Sequence, residues 1–173
     1  MLHSILLPLD RSPLAECTVE HGIRLAKAFG SSVWFLYIFK SSSLLSTSRI
    51  PPELQAQKDA ELREVHRALD GLVEKLKQQS VKASAYLLLG TDPATLIVEH
   101  AAALQADLIV MGSHGRTGLA KIILGSVSTQ VLEKCDRPVF VYRNVAQEHP
   151  PARGRRWVRN LPSTSSGRER GTC

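Results

Sequence analysis

The chain is poor in aromatic side chains, in cysteine and in long apolar runs, and each shortage excludes a class of protein. Aromatic residues make up only 5% of the 173 residues while hydrophobic residues make up 43%, which favours an aliphatic α/β core over an aromatic-rich β-sandwich. No apolar run approaches the roughly 18 residues that a membrane-spanning helix needs. The beginning of the chain lacks the basic region of a secretory signal. The three cysteines are odd in number, lie far apart and form no CxxC pair, so we expect a reduced, cytoplasmic protein without a metal site or a membrane segment.

Positive charge is concentrated at the end of the chain. Six arginines and two glutamates follow residue 143, so the tail carries +4 of the formal net charge of +6. The tail is also rich in Pro, Gly and Ser, and Trp157 is its single aromatic residue. We therefore predict one folded domain over residues 1–143 and a basic, disordered tail over residues 144–173. The tail contains no recognised nucleic-acid-binding motif, so we expect no nucleic-acid binding.

Segments typical of strands and helices alternate along the first 143 residues. Short apolar runs predict five strands, at residues 4–9, 32–39, 81–90, 107–112 and 138–142. The four intervening segments show helix-capping residues or apolar residues at helical spacing, and the helices are predicted to start near Ser12-Pro13, Glu53, Asp92-Pro93 and Ser126. This alternation predicts an α/β fold of three layers, in which a parallel sheet is covered on both faces and joined by right-handed crossovers.

The connection between the fourth strand and the fourth helix, "GSHGRTGLAKIILGS", is rich in glycine. Glycine lets backbone N–H groups approach a ligand closely, and a helix N-terminus adds unpaired amides and a positive dipole end. The loop could therefore bind a polyphosphate through Gly112, Gly115, Gly125 and Ser126, and the serine hydroxyl could help hold a bound Mg²⁺. The loop lacks the GxxxxGK[ST] pattern of a P-loop. Taken alone, the glycine spacing fits a flexible connection before a Gly-Ser helix start equally well.

A carboxylate, Asp10, follows the first predicted strand. It could accept hydrogen bonds from ribose hydroxyls or from an adenine amine, or it could be a turn or capping residue before the helix start at Ser12-Pro13. Asp10 and the glycine loop can share a site only if the first and fourth strands are neighbours. That condition requires the strand order 3-2-1-4-5, with a ligand at the point where the order reverses.

Four stretches together resemble the universal stress protein family, and specifically its ATP-binding branch. They are "ILLPLDRS", "GTDPATLIVEHA", "GSHGRTGLAKIILGS" and "GSVSTQVLEKCDRPVFVYR", and the resemblance covers residues 1–143. It implies a 3-2-1-4-5 sheet of the Rossmann-like, adenine nucleotide alpha hydrolase-like type, a site for ATP with or without Mg²⁺, and a homodimer. It places Pro8, Leu9 and Asp10 beside adenine and ribose, Ile38 on the adenine, Met111 and Gly112 along the nucleotide, and Gly115, Gly125, Ser126 and Val127 around the phosphates. Where the family often has Asp-Gly-Ser, this chain has Asp10-Arg11-Ser12.

These observations lead to a hypothesis of function. We expect an ATP-binding protein that takes part in a stress response by binding an unidentified protein partner, with at most slow ATP hydrolysis because a P-loop lysine and a paired general base are both missing. The alternative is a dimeric protein-interaction module of the same fold that does not bind nucleotide. An ATP pyrophosphatase would need an SGGxDS-type loop after the first strand, and "PLDRSPL" does not supply one.

The last predicted strand, residues 138–142, indicates how the chain could associate with a second copy. It is apolar on both sides, and such a strand at the edge of a sheet would tend to pair with another chain. Pairing with the same strand of a second subunit would cover it and produce a two-fold dimer. The alternative is that the tail folds back over the strand.

Overall fold

The computed structural model describes residues 1–10, 14–40, 52–113 and 124–143. Strands and helices alternate through them: β1 (Ser4–Leu9), α1 (Leu14–Phe29), β2 (Ser32–Lys40), α2 (Pro52–Lys77), β3 (Ala83–Gly90), α3 (Pro93–Ala103), β4 (Leu108–Gly112), α4 (Ser126–Lys134) and β5 (Val139–Tyr142). These bounds agree with the predicted segments to within one or two residues at most ends. The predicted helix start at Ser12-Pro13 and the tail over residues 144–173 lie outside the described residues.

All five strands form one parallel sheet with the order β3-β2-β1-β4-β5, which confirms the predicted order. β1 is central, with β2 on one side and β4 on the other. The direction in which the strands are added reverses between β1 and β4. In open α/β sheets, ligands bind beyond the carboxyl ends of the strands at this point of reversal.

Helices cover both faces of the sheet, as predicted. Because side chains alternate along a strand, Ile5 and Leu7 of β1 pack in one core cluster together with α1 and α2. Leu6, between them, packs in a second cluster with α3 and α4. The same alternation holds on β4, where Val110 belongs to the first cluster and Ile109 to the second. The molecule therefore has three layers and two aliphatic cores.

Three of the helices, α1, α2 and α3, end in the same way. A residue with a positive φ lies just beyond each helix: Gly30 (68°) directly follows α1, Ser80 (59°) is the third residue after α2, and Gln105 (54°) is the second residue after α3. The next amide then bonds to a carbonyl five residues earlier, from Ser31 to Ala26 at 2.8 Å, from Val81 to Leu76 at 2.9 Å and from Ala106 to Ala101 at 2.9 Å. This is the Schellman motif, in which glycine is the preferred residue at the positive φ. The end of α1 was therefore predictable from Gly30, whereas Ser80 and Gln105 give no such signal.

We expect Gln105→Gly to stabilise the protein. The side chain at position 105 is exposed, and a left-handed backbone costs a residue with a side chain roughly 1 kcal/mol more than glycine. Denaturant unfolding should show a gain of about that size. Ala103→Gly, within the last turn of α3, is the matched control and should lower stability by about 1 kcal/mol, because glycine is unfavourable inside a helix. Equal effects of the two substitutions would contradict this account.

The start of α3 confirms the predicted cap. Asp92 accepts a hydrogen bond from the Thr95 amide at 3.4 Å, and Pro93 occupies the first position of the helix. Hydrogen bonds from Thr95 hold the pKa of the Asp92 carboxyl below its usual value. Lys134, in the last turn of α4, donates to the Thr95 hydroxyl at 2.9 Å, so the same cluster joins α3 to α4.

Asp107 connects the beginnings of β1 and β4 by hydrogen bonds at the amino edge of the sheet. Its Oδ2 atom accepts hydrogen bonds from the amides of His3 at 2.7 Å and Ser4 at 2.9 Å, and from the Ser4 hydroxyl at 3.1 Å. The hydrogen bond from the His3 amide is the main cause that holds the pKa of the Asp107 carboxyl below its usual range. The two strands that flank the point of reversal are therefore fastened at their beginnings.

Candidate functional site

The candidate site lies where β1 and β4 end. Asp10 follows β1 directly and is half-buried. Across the point of reversal, Gly112 ends β4 and is followed by the buried Ser113. The pairing of β1 with β2 continues to Leu9↔Tyr37, so Ile38, the next residue of β2, is placed beside Asp10. The topology thus brings Asp10, Ile38 and Gly112 to one edge of the sheet.

Ser113 fixes the beginning of α4 against the end of β4. Its carbonyl oxygen accepts a hydrogen bond from the Gly125 amide at 2.7 Å and another from the Ser128 hydroxyl at 3.0 Å. Its own amide donates to the Tyr142 carbonyl of β5 at 2.7 Å. One residue therefore connects β4, β5 and the N-terminus of α4. The helix N-terminus is consequently held at the carboxyl edge of the sheet, on the β4 side of the point of reversal.

The beginning of α4 supplies the hydrogen-bond donors of the site. The Gly125 amide already donates to Ser113, and the first bond of the helix runs from the Thr129 amide to the Gly125 carbonyl at 3.0 Å. The amides of residues 126–128 precede that bond, so the helix itself provides no acceptor for them. Together with the positive end of the helix dipole, such amides favour an anion. Ser126 is exposed, and its hydroxyl is therefore accessible from solvent.

The remaining predicted residues lie around this edge in different ways. Pro8 and Leu9 are half-buried at the end of β1. Ile38 and Val127 both pack against the core cluster that faces α3 and α4. Met111 belongs to that cluster and is only 6% exposed, so its backbone rather than its side chain can border a ligand. Gly115 lies outside the described residues.

Two residues that build this candidate site, Ser113 and Ser128, were not predicted from the sequence. Ser128 is 2% exposed, and its hydroxyl lies 3.0 Å from the Ser113 carbonyl and 3.1 Å from the Gly125 carbonyl. The only available signal was a serine at the third position of the predicted helix, where a hydroxyl can bond to neighbouring backbone groups.

Neither a metal-binding cluster nor a membrane-spanning helix is found among the described residues. Within the described ranges, no three His, Cys, Asp or Glu side chains are grouped so that they could hold a metal ion. In the same part of the chain, none of the helices combines the length and the apolar character that a bilayer crossing requires.

Comparisons with known proteins agree on one family. The model of the universal stress protein family matches residues 1–143. The universal stress protein MJ0531 of Methanocaldococcus jannaschii is 34% identical over 146 residues, which cover 83% of this chain and 84% of that protein. The solved structure of MJ0577 from the same organism superposes with a TM-score of 0.70 at 28% identity, and the match covers 83% of this chain and 97% of the other. A universal stress protein from Archaeoglobus fulgidus, solved in complex with dAMP, superposes with a TM-score of 0.57 at 23% identity over 80% of this chain and 96% of the other.

Proposed function

Because this chain belongs to the universal stress protein family, we propose that it binds an adenine nucleotide between the carboxyl ends of β1 and β4 and acts through that binding. The single observation that carries the proposal is the position of α4. Its N-terminus is fastened to the end of β4 through Ser113, so its backbone donors lie at the same edge of the sheet as Asp10, which follows β1.

The two sides of the site suit the two halves of a nucleotide. The amides of residues 126–128 and the Ser126 hydroxyl are donors, and donors stabilise phosphate oxygens. Asp10 is an acceptor that suits ribose hydroxyls or the adenine amine. Ile38 is an apolar residue on one face of the edge, where an adenine ring could pack. The dAMP complex of the Archaeoglobus fulgidus protein supports the proposal, because it shows that the fold can hold an adenine nucleotide.

We assign ATP as the ligand and expect Mg²⁺ to arrive on its phosphates. The Ser126 hydroxyl could contribute an oxygen to that ion. The donors at α4 hold phosphate but supply no attacking group, so binding rather than rapid hydrolysis is the proposed activity. The nucleotide would then change a surface that a protein partner of a cytoplasmic stress response recognises.

Two measurements on the full chain test this function. Freshly purified protein is denatured and its supernatant assayed for adenine nucleotide, and the thermal unfolding of the protein is followed with ATP and Mg²⁺. A ligand present at about 100 times its dissociation constant should add roughly 2.7 kcal/mol of stability. Protein with neither co-purified nucleotide nor a thermal shift would be the interaction module of the same fold rather than a nucleotide-binding protein.

We further propose a homodimer through β5. This strand ends the sheet at the side of β4, and Phe140 on it is 42% exposed. Pairing of β5 with its copy across a two-fold axis would extend the sheet and bury both phenylalanines.

Phe140→Asp should convert this dimer to a monomer, because two carboxylates would face each other at the apolar contact. Light scattering at micromolar concentration measures the change. Leu89→Asp is the matched control: Leu89 is 62% exposed on β3, the strand at the opposite end of the sheet, and its substitution should leave the dimer intact. A wild-type protein that is monomeric at this concentration would contradict the dimer.

A further inference from the structure

Pro8 occupies an unusual position, because it lies in β1, the central strand of the sheet. Proline has no N–H group to donate to a ladder, and within sheets it is usually confined to edge strands, strand ends and bulges. Pro8 is paired with Leu36 of β2 on one side. Its missing N–H group can therefore affect the pairing of β1 with β4 on the other side.

The backbone hydrogen bonds at the start of β1 show which neighbour each residue faces. The His3 carbonyl accepts a bond from Ser32, at the start of β2, at 2.8 Å. The Ser4 carbonyl accepts a bond from Asp107, just before β4, at 3.1 Å. Because the polar groups of successive residues point to opposite sides of an extended strand, the backbone groups of residues 6 and 8 also face β4. The N–H group that Pro8 lacks is therefore one that would have joined β1 to β4.

The pairing of β1 with β4 ends before Pro8, as the missing N–H group predicts. β1 and β4 are paired at Ile5↔Leu108 and Leu6↔Ile109, although both strands continue for three more residues. In a parallel ladder, two successive residue pairs share one inter-strand hydrogen bond. The next two pairs would both depend on a hydrogen bond from the N–H of residue 8 to the Val110 carbonyl. On the other side of β1, the pairing with β2 continues to Leu9↔Tyr37.

We propose that Pro8 is a positioning residue that keeps the seam between the ends of β1 and β4 open for the ligand. The strands are pinned at the amino edge by Asp107, and without the N–H at residue 8 they are not joined through that position near the carboxyl edge. Asp10, directly after β1, and Gly112, at the end of β4, can then stand far enough apart to admit a nucleotide. This inference rests on the proposed nucleotide site.

Pro8→Val tests the proposal by restoring the missing donor in a residue that suits a strand. The new amide at position 8 should bond to the Val110 carbonyl and exchange slowly with deuterium, even without nucleotide. The affinity for ATP should fall about fivefold, because the ligand must reopen a closed seam. The folded protein should be no less stable than wild type, which separates this result from simple structural damage.

A matched control removes only the donor. The Pro8→Val protein made with an ester in place of the amide at residue 8 has the same side chain but no N–H, and it should recover most of the ATP affinity that Pro8→Val loses. Pro93→Ala, at the start of α3, controls for the loss of a proline elsewhere. A rapidly exchanging amide at position 8, or a protected amide with wild-type affinity, would overturn the role of Pro8. A wild-type protein that does not bind ATP would instead overturn the proposed function itself, and exchange at position 8 distinguishes the two failures.

Discussion

Ser126→Glu should abolish ATP binding while leaving the fold intact. Ser126 is the first residue of α4 and is exposed. A carboxylate at this position would lie among the amides proposed to hold the phosphates and would repel them, so we expect at least about a hundredfold loss of affinity, equivalent to roughly 2.7 kcal/mol. The same carboxylate should not harm folding, because a negative charge near a helix N-terminus is stabilising by about 0.3–1 kcal/mol.

Ser126→Gln is the matched control, since glutamine has nearly the shape of glutamate without its charge. Its affinity for ATP should be lower than that of wild type but much higher than that of the glutamate variant. Calorimetric titration measures the affinities and thermal unfolding the stabilities. Equal affinities of the two variants would show that charge at the tip of α4 does not matter, and would count against phosphate at this helix.

Ser128→Ala should weaken both the fold and the site. The Ser128 hydroxyl is buried, and it lies within hydrogen-bond distance of the carbonyls of Ser113 and Gly125. Its loss should lower the free energy of unfolding by about 1 kcal/mol. Because the start of α4 would be held less firmly to the end of β4, the donors would be less well pre-organised, and we expect the affinity for ATP to fall about tenfold.

Ser128→Thr keeps the hydroxyl and is the conservative control. It should retain most of the affinity that Ser128→Ala loses, even if the added methyl group lowers stability. If the alanine variant were destabilised yet bound ATP as tightly as wild type, Ser128 would support the fold alone and would not position the site.

Much of the fold could be predicted because local patterns determined it. The alternation of short apolar runs with capped helices indicates a parallel α/β sheet, and Asp92-Pro93 marks the start of α3 where the structure places it. The strand order followed from requiring one site for Asp10 and the glycine loop, and from the family resemblance. The end of α3 was harder to predict from the sequence, since Gln105 adopts a positive φ without being glycine.

The site depends on contacts that no local pattern contains. Ser113 and Ser128 are fifteen residues apart, and the bond between them forms only because β4 and α4 are packed together. Pro8 is visible in the sequence, but the strand that its missing N–H faces is known only from the register of β1 with β2 and β4. Sequence therefore predicted the residues that we propose to face a ligand, while the residues that hold them in place required the structure.

The most direct test is a crystal structure of this protein grown with a non-hydrolysable ATP analogue and Mg²⁺. We expect phosphate oxygens within hydrogen-bond distance of the amides of residues 126–128, with the ribose near Asp10. An analogue bound elsewhere would contradict nucleotide binding at this site. So would amides of residues 126–128 that are hydrogen-bonded to the protein's own groups.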